Sequence, residues 1–248
     1  MLKNSLKKHI SVKDFEYVNI NPNLRAENLR NHEINLLFAY TRIKKFQTNS
    51  KLMQIIDSPD ANILIKWLRN QPILKIDEKN KLIMVHAGIL PSWNLYDLCK
   101  NAKDIENNLK KKQYKSFLGD ICQDNTLNHI WSDDLSENLR LQLSINIFTR
   151  IRYCLSESVI DMRYKISPKE APHCIKPWFN FNNSILSEYN IVFGHWSSLG
   201  NYPTPKNVYK LDTGCCWGGK LTALKWENKK FFTQNLMLCL DRQLIENY

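Results

Sequence analysis

Glycine is scarce in this sequence and is missing from its first third. The 248 residues contain seven glycines, and the first of them is Gly88. A loop that brings its backbone close to a phosphate usually needs glycine at the point of approach. Residues 1–87 therefore hold no phosphate-binding glycine loop.

The seven cysteines lack the spacing of a disulfide framework or of a thiolate zinc site. Their number is odd, and apart from the adjacent Cys215 and Cys216 they are scattered without a CxxC pair. We expect small buried side chains in a reducing compartment. No apolar run approaches the length of a membrane span, and the start MLKNSLKKHISV lacks the apolar segment of a secretory signal. A cytoplasmic location is expected.

Acidic residues are fewer than basic ones: the chain has 24 aspartates and glutamates against 35 lysines and arginines, which gives a net charge of +11. Clustered lysine and arginine attract phosphate, so one interpretation is a surface selected for an anionic ligand. Lys, Asn and Ile are frequent along the whole chain, as in KKKQYK and FNFNNSIL. This favours a second interpretation, compositional drift with a solvated surface. Both stay open, and no specific nucleic-acid binding is expected from the charge.

The apolar pattern predicts a layered domain that contains both helices and strands. Hydrophobic residues make up 43% of the chain, and no repeat or Pro/Gly-rich linker divides it, which favours a single domain. Apolar periodicity predicts helices in residues 33–46, 58–72, 103–111 and 135–151. Strands are predicted in residues 14–20, 81–88, 191–196, 208–214, 220–226 and 229–234, with a hairpin turn at 227–230. The predicted fold class is α/β, in the sense of an α+β layered domain and not a helical bundle.

Three polar clusters lie where an apolar strand ends or a helix begins. They are LRNHE (29–33), VHAG (85–88) and FGHW (193–196). Imidazole and amide oxygen are neutral ligands that suit a divalent metal. Each histidine taken alone is more often a packed, hydrogen-bonded residue than a ligand.

The order and identity of these clusters resemble the calcineurin-like metallophosphoesterases. That family has five motifs in sequence: GDxHG, GDxxxRG, GNH[DE], a histidine in HAG and a histidine in GH. Residues 30–33 (RNHE) resemble the third motif, and the next two clusters resemble the fourth and fifth. The resemblance implies one general acid, His32, and three metal ligands, which are Asn31, His86 and His195.

Longer strings are similar to the symmetrical bis(5'-nucleosyl)-tetraphosphatases. They are WLRNQPILKIDEKNKLIMVHAGILPSW, NIFTRIRYC, EAPHCIKPWF, VFGHWSSL and VYKLDTGCCWGGKLTALKWENKKFF, and together they span roughly residues 29–234. The resemblance implies hydrolysis of diadenosine 5',5'''-P1,P4-tetraphosphate to two ADP by a metal-activated water, with manganese or cobalt as the cofactor. A related protein phosphatase fits these strings less well.

Three further residues are candidates for binding the dinucleoside polyphosphate substrate. Arg150 and Arg152, in FTRIR, could each pair two phosphate oxygens, and the alternative is a surface pair on a helix. Trp217 could stack on an adenine, as could Trp93. The alternative for Trp217, in DTGCCWGG, is to pack beneath the site together with the two cysteines before it.

Two of the five family motifs are absent. GDxHG and GDxxxRG would supply a bridging aspartate, a histidine and an arginine, and residues 1–28 contain neither. The predicted fold is therefore a metallophosphoesterase sandwich that lacks its first βαβ units, with a divergent segment at 1–28, an incomplete domain at 29–235 and a tail at 236–248. Arg30 replaces the glycine that would let the metal-binding loop turn tightly.

These absences leave two hypotheses. In the first, the chain is an enzyme, with the missing motifs encoded upstream of Met1 or supplied by a second fragment. In the second, it is a catalytically impaired remnant of that enzyme, because a pair of metal ions needs a bridging carboxylate to act together on a phosphate.

Overall fold

The protein divides into two compact units. The structure, a computed structural model, describes residues 19–21, 24–25, 28–41, 50–123 and 130–235. The larger unit is Glu27–Tyr209, and the smaller one comprises Met1–Ala26 and Lys210–Tyr248. The predicted segment boundaries at 28/29 and 235/236 stay predictions.

The α-helices of the described residues all belong to the larger unit. They are α1 (Asn31–Tyr40), α2 (Ser50–Ile56), α3 (Ala61–Leu68), α4 (Leu95–Lys110), α5 (Tyr114–Gln123), α6 (Glu137–Arg150) and α7 (Ser184–Glu188). Short 3-10 turns lie at Trp178–Asn180, Ser197–Leu199, Cys215–Trp217 and Trp226–Asn228. None of the described helices is both long and apolar enough to span a bilayer.

The four predicted helices are present and differ from the structure mainly at their ends, whereas α2, α5 and α7 were not predicted. The predicted helix at 33–46 begins earlier, at Asn31, and residues 42–46 lie outside the described part. The helix predicted at 103–111 is only the second half of α4, because a capping box between Asn94 and Asp97 starts that helix sooner. The prediction at 135–151 matches α6, whose first turn is capped by the Ser136 hydroxyl.

The strands of the described residues form four small sheets. They are β1 (Asn19–Asn21), β2 (Leu24–Arg25), β3 (Leu74–Asp77), β4 (Leu82–Val85), β5 (Tyr153–Ser156), β6 (Val159–Asp161), β7 (Lys176–Pro177), β8 (Asn190–Phe193), β9 (Val208–Lys210), β10 (Asp212–Thr213), β11 (Lys220–Lys225) and β12 (Lys230–Asn235). The sheet orders are β3-β4-β8-β9, β6-β5-β7, β1-β2 and β10-β11-β12. This mixture of helices and strands confirms the predicted mixed class.

The predicted strands and turn are mostly present but shorter. Strand β1 overlaps the end of the strand predicted at 14–20, whose residues 14–18 lie outside the described part. The hairpin between β11 and β12 turns through Trp226–Asn228 and then Lys229, whose φ is 54°. Strands β4 and β8 end before the histidines that follow them, so those histidines lie in loops.

The core of the larger unit forms around β4 and β8. All four residues of β4 are buried, as are the last three of β8. β4 pairs with β8 in parallel, and strands of parallel sheets are typically covered on both faces, which explains their unbroken apolar sequences. Three tryptophans are nearly inaccessible to solvent: Trp93, Trp178 and Trp196.

Candidate functional site

Two predicted site residues meet because β4 and β8 run side by side in the same direction. Met84 pairs with Val192, so both strands end at the same edge of the sheet. His86 follows β4 directly, and His195 follows β8 after one glycine. The Gly194 amide donates to the carbonyl of His86 over 2.8 Å, which ties the two loops together. The carboxyl ends of parallel strands are a common position for binding sites in α/β sheets.

Helix α1 brings the third cluster to this edge. The side chain of Asn28 donates to the Met84 carbonyl over 2.8 Å, which fixes the approach to the helix. Arg30 is the N-cap, and its amide donates to the Glu33 carboxylate over 3.1 Å. Arg30 has φ −113° and ψ 173°, an extended conformation open to any residue. The expectation that this position needs glycine for a tight turn is therefore wrong.

Asn31, His86 and His195 form a compact group, which we call the histidine cluster. Nε2 of His86 lies 2.9 Å from Oδ1 of Asn31, a hydrogen bond in which the ring nitrogen donates. The rings of His86 and His195 stand edge to face with centroids 5.0 Å apart. A cation bound by both His86 Nε2 and Asn31 would replace their hydrogen bond and require the other ring tautomer.

His195 is held in an unusual backbone conformation. Its φ is +62°, and the Trp196 amide donates to the Gly194 carbonyl over 2.7 Å across it. A three-residue turn with a positive central φ is rare and strained. The imidazole of His195 hydrogen-bonds to the backbone carbonyl of Arg150. Its Nε2 is buried and has no hydrogen-bond partner among the described residues.

Burial and neighbouring cations keep both cluster imidazoles neutral near pH 7. Burial lowers the pKa of His86 well below its usual value, and further lowering comes from His195, Arg30, His32 and Arg150. Burial also lowers the pKa of His195 to about 3, with contributions from Arg152, Arg150 and His32. The neutral ring is the form that binds a metal ion.

The two predicted phosphate-binding arginines lie at this site and are not a surface pair. Arg150 is the last residue of α6, and it is half-buried with its guanidinium bonded to Asn35 and Asn146. Arg152 follows the helix and donates to the carbonyl of His195 over 3.3 Å. The side chain of His32 is exposed on the first turn of α1.

The donors of the histidine cluster fit one divalent cation better than a bridged pair. One amide oxygen and two neutral imidazoles are the candidate ligands. Nε2 of His195 is buried without a hydrogen-bond partner among the described residues, so its lone pair could bind the cation. No group of three or more His, Cys, Asp or Glu side chains in the described residues has metal-binding geometry. A bridging carboxylate is thus lacking in the part of the chain that the structure covers.

Comparison with known proteins identifies the family. The chain is 54% identical to the symmetrical bis(5'-nucleosyl)-tetraphosphatase of Wigglesworthia glossinidia brevipalpis over 205 residues, which is 82% of this chain and 75% of the relative. The protein of that name from Pectobacterium atrosepticum is 47% identical over 83% of this chain and 73% of its own length. The one from Baumannia cicadellinicola is 46% identical over 82% and 69%. The chain belongs to the symmetrical bis(5'-nucleosyl)-tetraphosphatase family.

Two other comparisons add little to this assignment. No family model matches the sequence. A crystal structure of a protein provisionally assigned as a diadenosine tetraphosphatase is 15% identical over 84% of this chain and 67% of that chain, with a TM-score of 0.49. A likeness at that level carries no argument.

The two candidate tryptophans differ in exposure. Trp217 belongs to the smaller unit and is 85% exposed, so the interpretation that it packs beneath other residues is wrong. It sits in a 3-10 turn between two glycines with positive φ, which holds the side chain outside the sheet. Trp93 is buried against Trp131 and Phe148 and belongs to the core of the larger unit. Its ring therefore has no exposed face on which an adenine could stack.

Sequence reasoning missed Asn35 and Asn146, which hold the guanidinium of Arg150. Asn35 follows Asn31 by four residues, so both lie on the same side of α1. Asn146 precedes Arg150 by four on α6. The spacing of four residues is compatible with these contacts, but asparagine is so frequent in this chain that the spacing does not single them out.

Proposed function

We propose that this chain hydrolyses diadenosine 5',5'''-P1,P4-tetraphosphate symmetrically to two ADP, the type of reaction after which its relatives are named. The observation that supports this most directly is the histidine cluster at the ends of β4 and β8, with two arginines beside it. Metal donors and guanidinium groups at one sheet edge are what a polyphosphate substrate requires.

The proposed roles follow from what each side chain can reach. Asn31, His86 and His195 would hold a divalent cation, manganese or cobalt by family resemblance. Such a cation lowers the pKa of water and neutralises charge on the phosphate. Arg150 and Arg152 would hold phosphate oxygens, since guanidinium forks stay charged and match phosphate geometry.

His32 is the proposed general acid. It is exposed on the first turn of α1, next to Asn31, so its ring can reach a substrate from the solvent side. A proton delivered from the His32 ring to the departing ADP oxygen would prevent the build-up of negative charge on the leaving group. Trp217 is proposed to stack on an adenine, an assignment favoured only by its exposure and aromatic face.

The finer description of the fold is also a proposal. We infer a metallophosphoesterase sandwich without its first βαβ units, with residues 29–235 as the family domain. Supporting this are the parallel β4–β8 pair, followed by histidine loops, and the absence from the sequence of any glycine before Gly88. A cytoplasmic location is proposed on the sequence features alone.

The competing function is that of a catalytically impaired remnant. It is favoured by the lack of a bridging carboxylate in the described residues. Identity of 44–54% to relatives that all carry the enzyme's name favours activity instead. The extended conformation of Arg30 also removes one objection to an intact loop.

Product analysis separates these functions. The purified chain is incubated with diadenosine tetraphosphate and Mn²⁺ or Co²⁺, and nucleotides are resolved by chromatography. Two ADP per substrate are expected, whereas AMP with ATP would indicate asymmetric cleavage. His86→Ala is the test variant, and His173→Ala, at an exposed histidine, is the matched control. A wild-type rate no higher than that of His86→Ala would support the remnant.

A further inference from the structure

Within the part of the chain that the structure describes, the hydrogen-bond partners of the Arg150 guanidinium are all neutral groups. Its guanidinium donates to the Asn35 side-chain oxygen over 2.6 Å, to that of Asn146 over 3.0 Å and to the Thr149 hydroxyl over 3.2 Å. Among the described residues, no ion pair involves Arg150. Its positive charge is therefore oriented by hydrogen bonds and is not compensated by any carboxylate that the structure describes.

Two other arginines of the described residues pair with carboxylates instead. Arg140 donates to the Asp104 carboxylate over 2.9 Å, and Arg163 pairs with the buried Asp161. Burying a cation without a counter-charge is costly, and the cost is visible here because burial lowers the pKa of Arg150 to about 10. An aspartate in place of Asn35 would relieve this cost, yet the chain has asparagine there.

Arg150 also lies against the histidine cluster. The His195 ring hydrogen-bonds to its backbone carbonyl, and its charge lowers the pKa of both cluster histidines. Asn35 lies one helical turn after Asn31, on the same side of α1. The bond from Asn35 to Arg150 thus joins the helix that carries a cluster residue to the end of α6.

We propose that Asn35 is a positioning residue, which aims the Arg150 guanidinium at the bound polyphosphate and leaves its charge free for the phosphates. Asn146 supports the other amino group in the same way. The inference rests on the proposed function, in which Arg150 contacts the substrate. An uncompensated, pre-oriented guanidinium binds an anion more strongly than one already paired with a carboxylate.

Substitution of Asn35 by aspartate separates stability from binding. Binding of diadenosine tetraphosphate to wild type, Asn35→Asp and Asn35→Ala is measured by calorimetry with a chelator present, and Tm is measured without ligand. We expect Asn35→Asp to raise Tm, because it gives a buried cation its counter-charge, and to weaken binding by roughly tenfold or more. Asn35→Ala should lower Tm and weaken binding less. The net-charge control is Asn107→Asp at an exposed position of α4, which should change neither.

The outcomes distinguish this inference from the proposed function. If Arg150→Ala weakens binding while Asn35→Asp binds like the wild type, the positioning role of Asn35 is overturned and the role of Arg150 stands. A lower Tm in Asn35→Asp would also overturn it, since the added carboxylate would then not pair with Arg150. If Arg150→Ala leaves binding unchanged, the proposed contact of Arg150 with the substrate fails, whereas the hydrolysis itself is decided by the product analysis with Mn²⁺ or Co²⁺.

Discussion

The ring of His86 stands edge to face against the ring of His195, with centroids 5.0 Å apart and planes inclined by 66°. The two residues are more than 100 positions apart in sequence, yet each comes just after one of two paired parallel strands. Nearby arginines repel a cation, so two neutral imidazoles in this position should bind one more tightly when an anionic substrate accompanies it. The histidine cluster and the arginines therefore form one interdependent site.

Metal binding should depend on the cluster and not on histidine in general. We expect His86→Ala to weaken Mn²⁺ binding by roughly tenfold or more, because a lost ligand costs at least what a lost supporting hydrogen bond does. The measurement is the electron paramagnetic resonance signal of free Mn²⁺ in a titration. His173→Ala should bind as the wild type does. Equal affinities for both variants would contradict the assignment of His86.

His32 should affect turnover far more than substrate binding. In His32→Gln we expect kcat to fall roughly 10²–10⁴-fold with KM little changed, since a general acid acts in the transition state. Both constants are measured by steady-state kinetics with diadenosine tetraphosphate. His173→Gln, at another exposed histidine, is the control. A parallel rise in KM without loss of kcat would make His32 a binding residue instead.

Stability should fall with acidification in the absence of metal. Burial lowers the folded-state pKa of His195 from 6.5 to about 3. The unfolded chain therefore binds a proton that the folded protein excludes between these two values, and the free energy of unfolding decreases as pH falls through them. Each such histidine contributes up to about 1.4 kcal/mol per pH unit, and His86 shifts in the same direction.

Chemical denaturation between about pH 6.5 and pH 4, with a chelator present, tests this dependence. His195→Asn removes one titrating ring, and asparagine tolerates the positive φ at this position. The variant's unfolding free energy should vary less steeply with pH than that of the wild type. Identical slopes would show that His195 can take up a proton in the folded state.

The parts of this site that could be predicted from sequence are those that depend on strand order and motif identity. Apolar runs that end in HAG and GHW placed His86 and His195 at strand ends, and the resemblance of residues 30–33 to a family motif added Asn31. The bond between Asn35 and Arg150 spans 115 positions, and asparagine gives no periodic signal for such a pairing. The positive φ of His195 and the exposure of Trp217 arise from local turn geometry, which side-chain patterns do not encode.

Gly88 is required for close packing. A Cβ at this position would lie 2.6 Å from two ring atoms of Trp178 and 2.8 Å from Cγ2 of Ile151. Both neighbours are buried, so we expect Gly88→Ala to lower the free energy of unfolding by about 1–3 kcal/mol. Denaturant titration measures it.

The Trp178→Phe background provides the control for that overlap, because it removes the ring atoms nearest to position 88. The alanine substitution should cost less in that background than in the wild type, a coupling that a double-mutant cycle detects. Purely additive losses would mean that the Trp178 ring is not what excludes a side chain at Gly88.

Trp217 should matter for substrate and not for folding. Its side chain is 85% exposed, and replacement of such a residue usually changes the unfolding free energy by less than about 0.5 kcal/mol. If it stacks on an adenine, Trp217→Ala should raise KM about fivefold or more, while Trp217→Phe, which keeps an aromatic face, should recover most of the loss. The measurements are KM for diadenosine tetraphosphate and denaturant unfolding of the same preparations. A KM that stays constant across the three proteins would remove Trp217 from the substrate site and leave its exposure as a surface feature of the 3-10 turn.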